Sequence, residues 1–563
     1  MNSKICFPTK WLVATLLVVI CLLMLPALSQ AQPAPQILSV SPAQNELDVA
    51  VGGNISVVFD IDMDGTTINS STFLVNARST GLHSGTITYD GPTKTATFDP
   101  TGDFDEGEVV TVSLTAGIES SAGTPLDNAY VWSFTSVVDD GPGIFTSQSV
   151  YAAGNAPASV FSADLDGDGD LDLAVANSFS DNVSVLLNNG DGSYAAQSVY
   201  AAGSIPMSVF SADLDGDGAP DLVTANYNSD NVSVLLNNGD GTFAAQSVYA
   251  AGDAPSSVFA ADLDGDGDLD LVTANYNSDN VSVLLNNGDG TFAAQSVYAA
   301  GDSPYSVFAA DLDGDGDLDL ATANWTTSDV SVLLNNGDGT FATHSVYAAG
   351  DSPGSVFAAD LDGDGDLDLA TANFWSNNVS VLLNYGAGAF ATHSVYAVGD
   401  RPGSVFSADL DGDGDLDLAT SNKNTDNISV LLNNGNGTFA AQSIYAAGDA
   451  PSSVFAADLD GDGDLDLATA NEDSDNLSVL LNLPDCDCGI AGDVNDDGST
   501  DPLDVSYLVN KVYLSLDALH DYTATCTYPN GDVNCDDSTD PLDVSYLVNK
   551  VYLSLDALCN RCP

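Results

Sequence analysis

Aspartates at alternate positions recur along this chain in one pattern, D-x-D-x-D-G-x-x-D, seven times at a constant interval of 49 residues. The first copy holds Asp164, Asp166, Asp168, Gly169 and Asp172, with Asp170 placed to lend its backbone carbonyl. The later copies hold Asp213, Asp215, Asp217 and Asp221; Asp262, Asp264, Asp266, Asp268 and Asp270; Asp311, Asp313, Asp315, Asp317 and Asp319; Asp360, Asp362, Asp364, Asp366 and Asp368; Asp409, Asp411, Asp413, Asp415 and Asp417; and Asp458, Asp460, Asp462, Asp464 and Asp466. Carboxylates two residues apart converge only if the backbone curls, and glycine permits that curl. Packed together they repel, and a hard divalent ion with oxygen ligands removes the penalty; Ca²⁺, which takes about six to eight oxygens, suits the set better than Mg²⁺. One copy alone reads equally well as an Asp-rich turn, but seven in register point to calcium. The second copy has Ala219-Pro220 where the others have Asp and Leu, so it loses only the carbonyl-donating aspartate.

Loops repeated at this interval need repeated elements to hold them. In the first period the alternation predicts four strands, over 159–163, 171–177, 183–188 and 194–200, with the aspartates between the first two. Leu171, Leu173 and Val175 alternate with the small Ala174 and Ala176, which suits a sheet covered on both faces. Four-stranded sheets repeated at a fixed period predict a mainly β, seven-bladed β-propeller over 144–484, the other arrangement being an open β-solenoid. The fourth-strand text Phe243-Ala-Ala-Gln-Ser-Val-Tyr249 is missing after the seventh repeat, and an unpartnered copy, Phe145 to Tyr151, precedes the first. That strand is expected to complete the last sheet and leave no open edge.

The chain of 563 residues carries a formal net charge of -72, with 81 Asp+Glu against 9 Lys+Arg. Such acidity argues against nucleic-acid partners and polybasic membrane contact. Only Glu46, Glu106, Glu108, Glu119 and Glu472 are glutamates, and so strong a preference for the shorter carboxylate favours turns and cation ligation over simple solvation. Lys4 and Lys10 precede an apolar run from Trp11 to Leu25 and a small-residue site at Ser29-Gln30-Ala31, the layout of a signal peptide over 1–31. No later segment is long and apolar enough to span a bilayer as a helix. The mature protein is therefore expected to be secreted or held at the cell surface. Residues 33–137 contain alternating runs at 55–59, 85–89, 109–114 and 130–134 between Asn/Asp/Gly turns, which predicts a β-sandwich, and 138–143 reads as a linker.

With these residues in view, 144–484 resembles the FG-GAP/VCBS-type repeats of integrin α-chain propellers and exported bacterial proteins. The resemblance implies seven blades with a structural calcium in the first hairpin loop of each. Pro35 to Pro42 and Val131 to Thr135 resemble the ends of Ig-like domains of bacterial surface proteins, which implies a spacer. In the last segment, 485–563, Asp493, Asn495, Asp497, Gly498, Ser499 and Asp504 fit an EF-hand loop with Asp at the final position. Asp532, Asn534, Asp536 and Asp543 repeat it less completely, since Asp537 replaces the glycine. Residues 499–519 and 538–558 are identical, and each half reads as a loop and a helix. The segment resembles a dockerin, a small α-helical EF-hand-type domain, and the resemblance implies a cohesin-type partner. Its cysteines, 486, 488, 526, 535, 559 and 562, suit disulfides in an exported chain, a zinc site being the alternative.

No nucleophile, base and orienting group stand together, and a carboxylate copied seven times lacks the distinctive surroundings of a catalytic acid. The informative positions are those where the repeat varies. After the second strand the 49-spaced series runs Ser178, Tyr227, Tyr276, Trp325, Phe374, Lys423, Glu472, with Trp375 beside it and Tyr305 and Arg401 in neighbouring loops. Strand geometry puts these at the end of each blade opposite the aspartates, where the rings either pack between blades or form a ligand rim. Three functions remain open: an exported, non-catalytic adhesion or recognition protein whose propeller binds a surface glycan or protein and whose tail docks a cohesin; a purely structural surface protein; and a dockerin-borne polysaccharide-degrading enzyme.

Overall fold

The computed structural model describes residues 33–138 and 141–483. The expected leader and the dockerin-like segment, with its EF-hand loops and cysteines, lie outside the described residues, as do positions 139 and 140 of the linker. Every regular element among the described residues is a β-strand.

The first unit has eight strands: β1 Ile37–Ser41, β2 Ile55–Phe59, β3 Phe73–Ala77, β4 Gly81–Leu82, β5 Gly85–Asp90, β6 Thr95–Pro100, β7 Val109–Leu114 and β8 Tyr130–Thr135. They form two sheets, ordered β1-β2-β6-β5 and β4-β3-β7-β8. Alternation decides which side chains meet: Ile55, Val57 and Phe59 of β2 and Val110, Val112 and Leu114 of β7 are all buried in one core with Trp132 and Phe134. The Trp132 indole N–H reaches Pro42 O at 3.2 Å. The four runs expected from the sequence are present as β2, β5, β7 and β8.

Seven four-stranded antiparallel sheets follow, one per repeat. In the first repeat the inner strand is Pro157–Ala163, the second Asp172–Asn177, the third Asn182–Leu186 and the outer Ser198–Ala201. The second strand is buried along its whole length, as small residues on one face and branched residues on the other require. The third and outer strands are shorter than the sequence suggests. Gly190 and Gly192 at φ +77° and +68° turn the chain out of the ladder between them, leaving a single bridge from Asn188 to Tyr194. The seventh sheet is completed by Ser149–Ala152, which pairs with Asn476–Leu480 through Ser478 opposite Val150. The expected exchange of the N-terminal strand is therefore present.

Three side-chain series close the seven sheets on themselves, giving a β-propeller-like ring. Phe161, Phe210, Phe259, Phe308, Phe357, Phe406 and Phe455 stand on the inner strands with neighbouring centroids 4.6–4.9 Å apart, and Phe455 returns to Phe161 at 4.8 Å. The Asn237 amide donates to Pro220 O in its own sheet at 2.9 Å and to Leu165 O in the preceding one at 2.8 Å. The same staple recurs round to Asn188, which bonds Leu459 O of the seventh repeat at 2.8 Å. Tyr200 donates its hydroxyl to Gly241 O of the following repeat, and Tyr445 closes that series on Gly143 O at 3.0 Å.

The Ig-like unit is not a detached spacer. It sits over the aspartate-loop end of the ring, with Asp164 N donating to Ser79 O at 3.1 Å and Val131 N to Gly316 O at 2.9 Å. Left-handed glycines in the loops allow this approach: a Cβ on Gly267 would lie 2.6 Å from Leu74.

Candidate metal loops and aromatic face

Each aspartate loop is shaped by its own first carboxylate. In the first repeat Asp164 Oδ1 accepts from Gly167 N at 2.8 Å and Asp168 N at 3.2 Å, while Oδ2 accepts from Gly169 N at 3.1 Å. Gly167 and Gly169 lie at φ +77° and +94°, where a side chain would be strained. The ninth position is the most enclosed: Asp172, 1% exposed, takes Leu165 N at 3.0 Å and Asn188 N at 2.7 Å.

The loops bring three carboxylates together, with a ligand oxygen from each within 4.8 Å of the others: Asp164, Asp166 and Asp172; Asp213, Asp215 and Asp221; Asp262, Asp264 and Asp270; Asp311, Asp313 and Asp315; Asp360, Asp362 and Asp368. Two more such groups exist among the described residues. Positions one, three and nine thus converge in most loops, and in the fourth the fifth-position Asp315 joins instead. Asp168 Oδ1 is occupied by the Asp170 amide at 3.0 Å. The Asp170 side chain faces the neighbouring turn, where a Cβ on Gly190 would come within 2.7 Å of it; Asp268, Asp317 and Asp415 do the same beside Gly288, Gly337 and Gly435. That orientation agrees with a backbone rather than a side-chain contribution from this position.

These groups fit a metal ion. Asp166, Asp362, Asp409, Asp411 and Asp460 each have a buried Oδ1 without a hydrogen-bond partner, a costly state for a carboxylate unless a cation answers it. Burial, aided by neighbouring carboxylates and opposed by the two amides, lifts the Asp172 carboxyl to about 7. The same causes lift Asp319, Asp417 and Asp466 to about 8 and Asp270 to about 9. Carboxyl groups so penalised when charged can hold a metal ion, and an ion with a hard-oxygen preference suits a set of carboxylates.

The other end of the ring carries the variable residues. Tyr227, Tyr276, Tyr305, Trp325 and Phe374 form a continuous arc with successive centroids 6.1, 6.0, 5.4 and 5.0 Å apart, and each ring is half-buried. Burial, with Glu472 adding to it, pushes the Tyr305 hydroxyl up to about 12. Where the aromatics stop, an ion pair of Lys423 with Glu472 continues the series. Beyond Phe374 lies Trp375, 51% exposed, with the Arg401 guanidinium carbon 4.5 Å from its centroid. Arg401 is itself set by backbone geometry: it sits at φ +58°, and its amide is held by Asn377 Oδ1 at 3.1 Å. The arc and the loop neighbours expected from the sequence are thus brought together. Phe179, 67% exposed, stands apart from these ring contacts.

His344 and His393 stand where other repeats have Gln197, Gln246 and Gln295, whose side-chain amides donate to Ala153 O, Ala202 O and Ala251 O; the histidine Nδ1 atoms meet Ala299 O and Ala348 O at 2.9 and 2.8 Å. The asparagine staple and the phenylalanine ring recur at the same 49-residue interval but hold the ring together rather than marking a loop, so periodicity alone gives no hint of their role. Arg78 had no repeat to draw attention to it. It stands at a cavity of about 180 Å³ beneath the Ig-like unit, its guanidinium carbon 5.8 and 6.0 Å from the Phe308 and Phe357 centroids.

Comparison with known proteins agrees with the division into two kinds of unit. Residues 31–136 match the model of a bacterial Ig-like domain. The FG-GAP-like repeat model matches five times, at 164–224, 213–273, 265–322, 318–371 and 409–469. The chain thus contains a bacterial Ig-like domain followed by FG-GAP-like repeats. No curated protein matches it in sequence. Among solved structures, virginiamycin B lyase from Staphylococcus aureus is similar at TM-score 0.43 and 13% identity, covering 60% of this chain and 100% of its own. A lectin from Agrocybe aegerita that recognises non-reducing terminal N-acetylglucosamine is similar at 0.38 and 19%, covering 73% and 99%. An auxiliary nutrient binding protein from Bacteroides ovatus is similar at 0.34 and 12%, covering 80% and 98%. None of these likenesses carries an argument about activity. The FG-GAP-like repeats suggest an extracellular recognition or binding role, and none of the described residues forms a helix long and apolar enough to cross a membrane.

Proposed function

We propose that the chain is an exported, non-catalytic recognition protein built on a seven-bladed, calcium-loaded propeller. The observation that carries this reading is the division of labour between the two ends of the ring. One end repeats the same buried, unanswered carboxylates; the other is the place where the repeats differ. In this reading calcium neutralises the Asp164, Asp166 and Asp172 set and its counterparts and keeps each hairpin rigid. The exposed Trp375 with the half-buried Arg401 beside it, at the end of the aromatic arc, is the ligand contact. A flat ring beside a guanidinium suits a sugar carrying both a C–H face and polar or acidic substituents. The dockerin-like segment over 485–563 would tether the protein to a cohesin-type partner.

Binding to a glycan array in calcium by the wild type and by Trp375→Ala tests the proposal. Capture of a glycan class by the wild type and its loss in the variant, with an unchanged melting temperature, supports it; equal binding by both places the contact elsewhere. A second reading, a purely structural surface component, is favoured by one observation: Tyr227, Tyr276, Trp325 and Phe374 touch one another and are half-buried, as packing residues would be.

A further inference from the structure

The Ig-like unit brings almost no positive charge to the face it covers. Asp48 lies against the sixth loop, its Oδ2 3.1 Å from where a Cβ on Gly414 would stand. Asp105 feels the charge of Asp164 and of Asp458, in the first and seventh loops, and its Oδ2 is buried without a partner. Yet direct bonds tie this unit to the loops themselves: Gln44 Nε2 donates to Asp311 Oδ2 at 2.5 Å and Asn45 Nδ2 to Gly365 O at 2.9 Å. Acid faces acid across a close contact. Arg78 is the exception, and it faces the phenylalanine ring rather than an aspartate loop.

We infer that the Ig-like domain is a metal-dependent cap on the ring, seated by the cations held in the aspartate loops and centred by Arg78 at the inner phenylalanines. The inference rests on the metal reading above. Like charges repel at such contacts, so Asp48 and Asp105, left uncompensated, oppose docking. A divalent ion in each loop cancels two of the loop's negative charges and so weakens the repulsion felt by Asp48 and Asp105. The same ions fix the amide and carbonyl positions that Ser79, Asn45 and Val131 use. Closing this mouth leaves the aromatic end as the open approach to the ring.

The test is hydrogen–deuterium exchange on the full chain in calcium and in EDTA, with bound calcium counted in the same samples. The expected result is exchange at least about tenfold faster in EDTA in the two segments around Val131 and Asp164, whose amides bond across the contact, while β2 and β7, in the core of the Ig-like unit, stay protected. Arg78→Ala in calcium should loosen the same two segments with the calcium count unchanged. Calcium bound but identical protection with and without it overturns the cap and leaves the metal reading standing; no bound calcium overturns both. Should EDTA unfold the whole chain, Arg78→Ala decides, because wild-type protection in that variant removes Arg78 as the centring group and overturns the inference as stated.

Discussion

Replacing Asp362 by Asn should change sign with calcium. Asp362 meets Asp360 and Asp368, one oxygen of each within 4.8 Å, and its Oδ1 is buried without a donor. At that separation each like-charge pair costs about 3.5 kcal/mol at an effective dielectric of about 20. Asp362 is part-exposed, so screening reduces the sum of the two pairs to roughly 1–3 kcal/mol. In EDTA the neutral amide relieves that repulsion, and the variant should be about 1–3 kcal/mol more stable than the wild type. With calcium at about a thousand times its dissociation constant, losing one site forfeits about 4 kcal/mol of linkage. After the relieved repulsion is subtracted, the variant should be about 1–3 kcal/mol less stable in calcium. Denaturant unfolding of both proteins in both conditions measures this directly. An equal effect in calcium and EDTA, of either sign, would refute the idea that a cation answers these carboxylates.

Asn335→Ala should cost roughly 2–5 kcal/mol in either condition, because it strips donors from two buried carbonyls, those of Leu263 and Leu318 at 2.8 and 2.9 Å; calcium-dependent loss would argue against a purely mechanical staple. The aspartates lifted to about 8 or 9 in the folded chain give the metal-free protein stability that is complete below their ordinary value and lost as pH climbs through the raised ones. Its melting temperature should therefore fall from about pH 5 to about pH 9. Calcium competes with those protons, so calcium affinity should instead rise over the same range, as titration calorimetry would show. Trp325→Ala, removing a ring packed between Tyr305 and Phe374, should cost roughly 2–4 kcal/mol of stability, whereas Trp375→Ala should leave thermal melts unchanged.

Much of the ring was legible because repetition turns a weak local signal into a strong one. One D-x-D-x-D-G segment is a turn; seven at one interval locate every inner hairpin, and the displaced Ser149–Ala152 strand announces how the circle closes. The strand ends were less legible, since Asn188, Gly190 and Gly192 belong to a turn whose left-handed backbone looks much like strand text in an alternation count. The seat of the Ig-like unit was not legible at all. It depends on single residues, Gln44, Asn45, Arg78 and Asp105, each meeting a partner up to several hundred positions away, and no period or motif links such pairs.

The two ends of the ring are under different constraints, and this explains where function can be written. At the aspartate end every loop must curl around its own carboxylates, receive the asparagine staple of the next sheet and sit beneath the Ig-like unit; a change in one loop disturbs all three contacts. The residues there are accordingly almost the same in all seven repeats. At the opposite end the loop after the second strand has to satisfy only its neighbours' rings, so Ser178, Tyr227, Trp325, Lys423 and Glu472 can differ without opening the circle. A ring with seven equal sectors offers no sector a ligand could prefer. The arc from Tyr227 to Arg401, which runs through the second to sixth repeats and stops at the Lys423–Glu472 ion pair, breaks that equality and gives this face a direction.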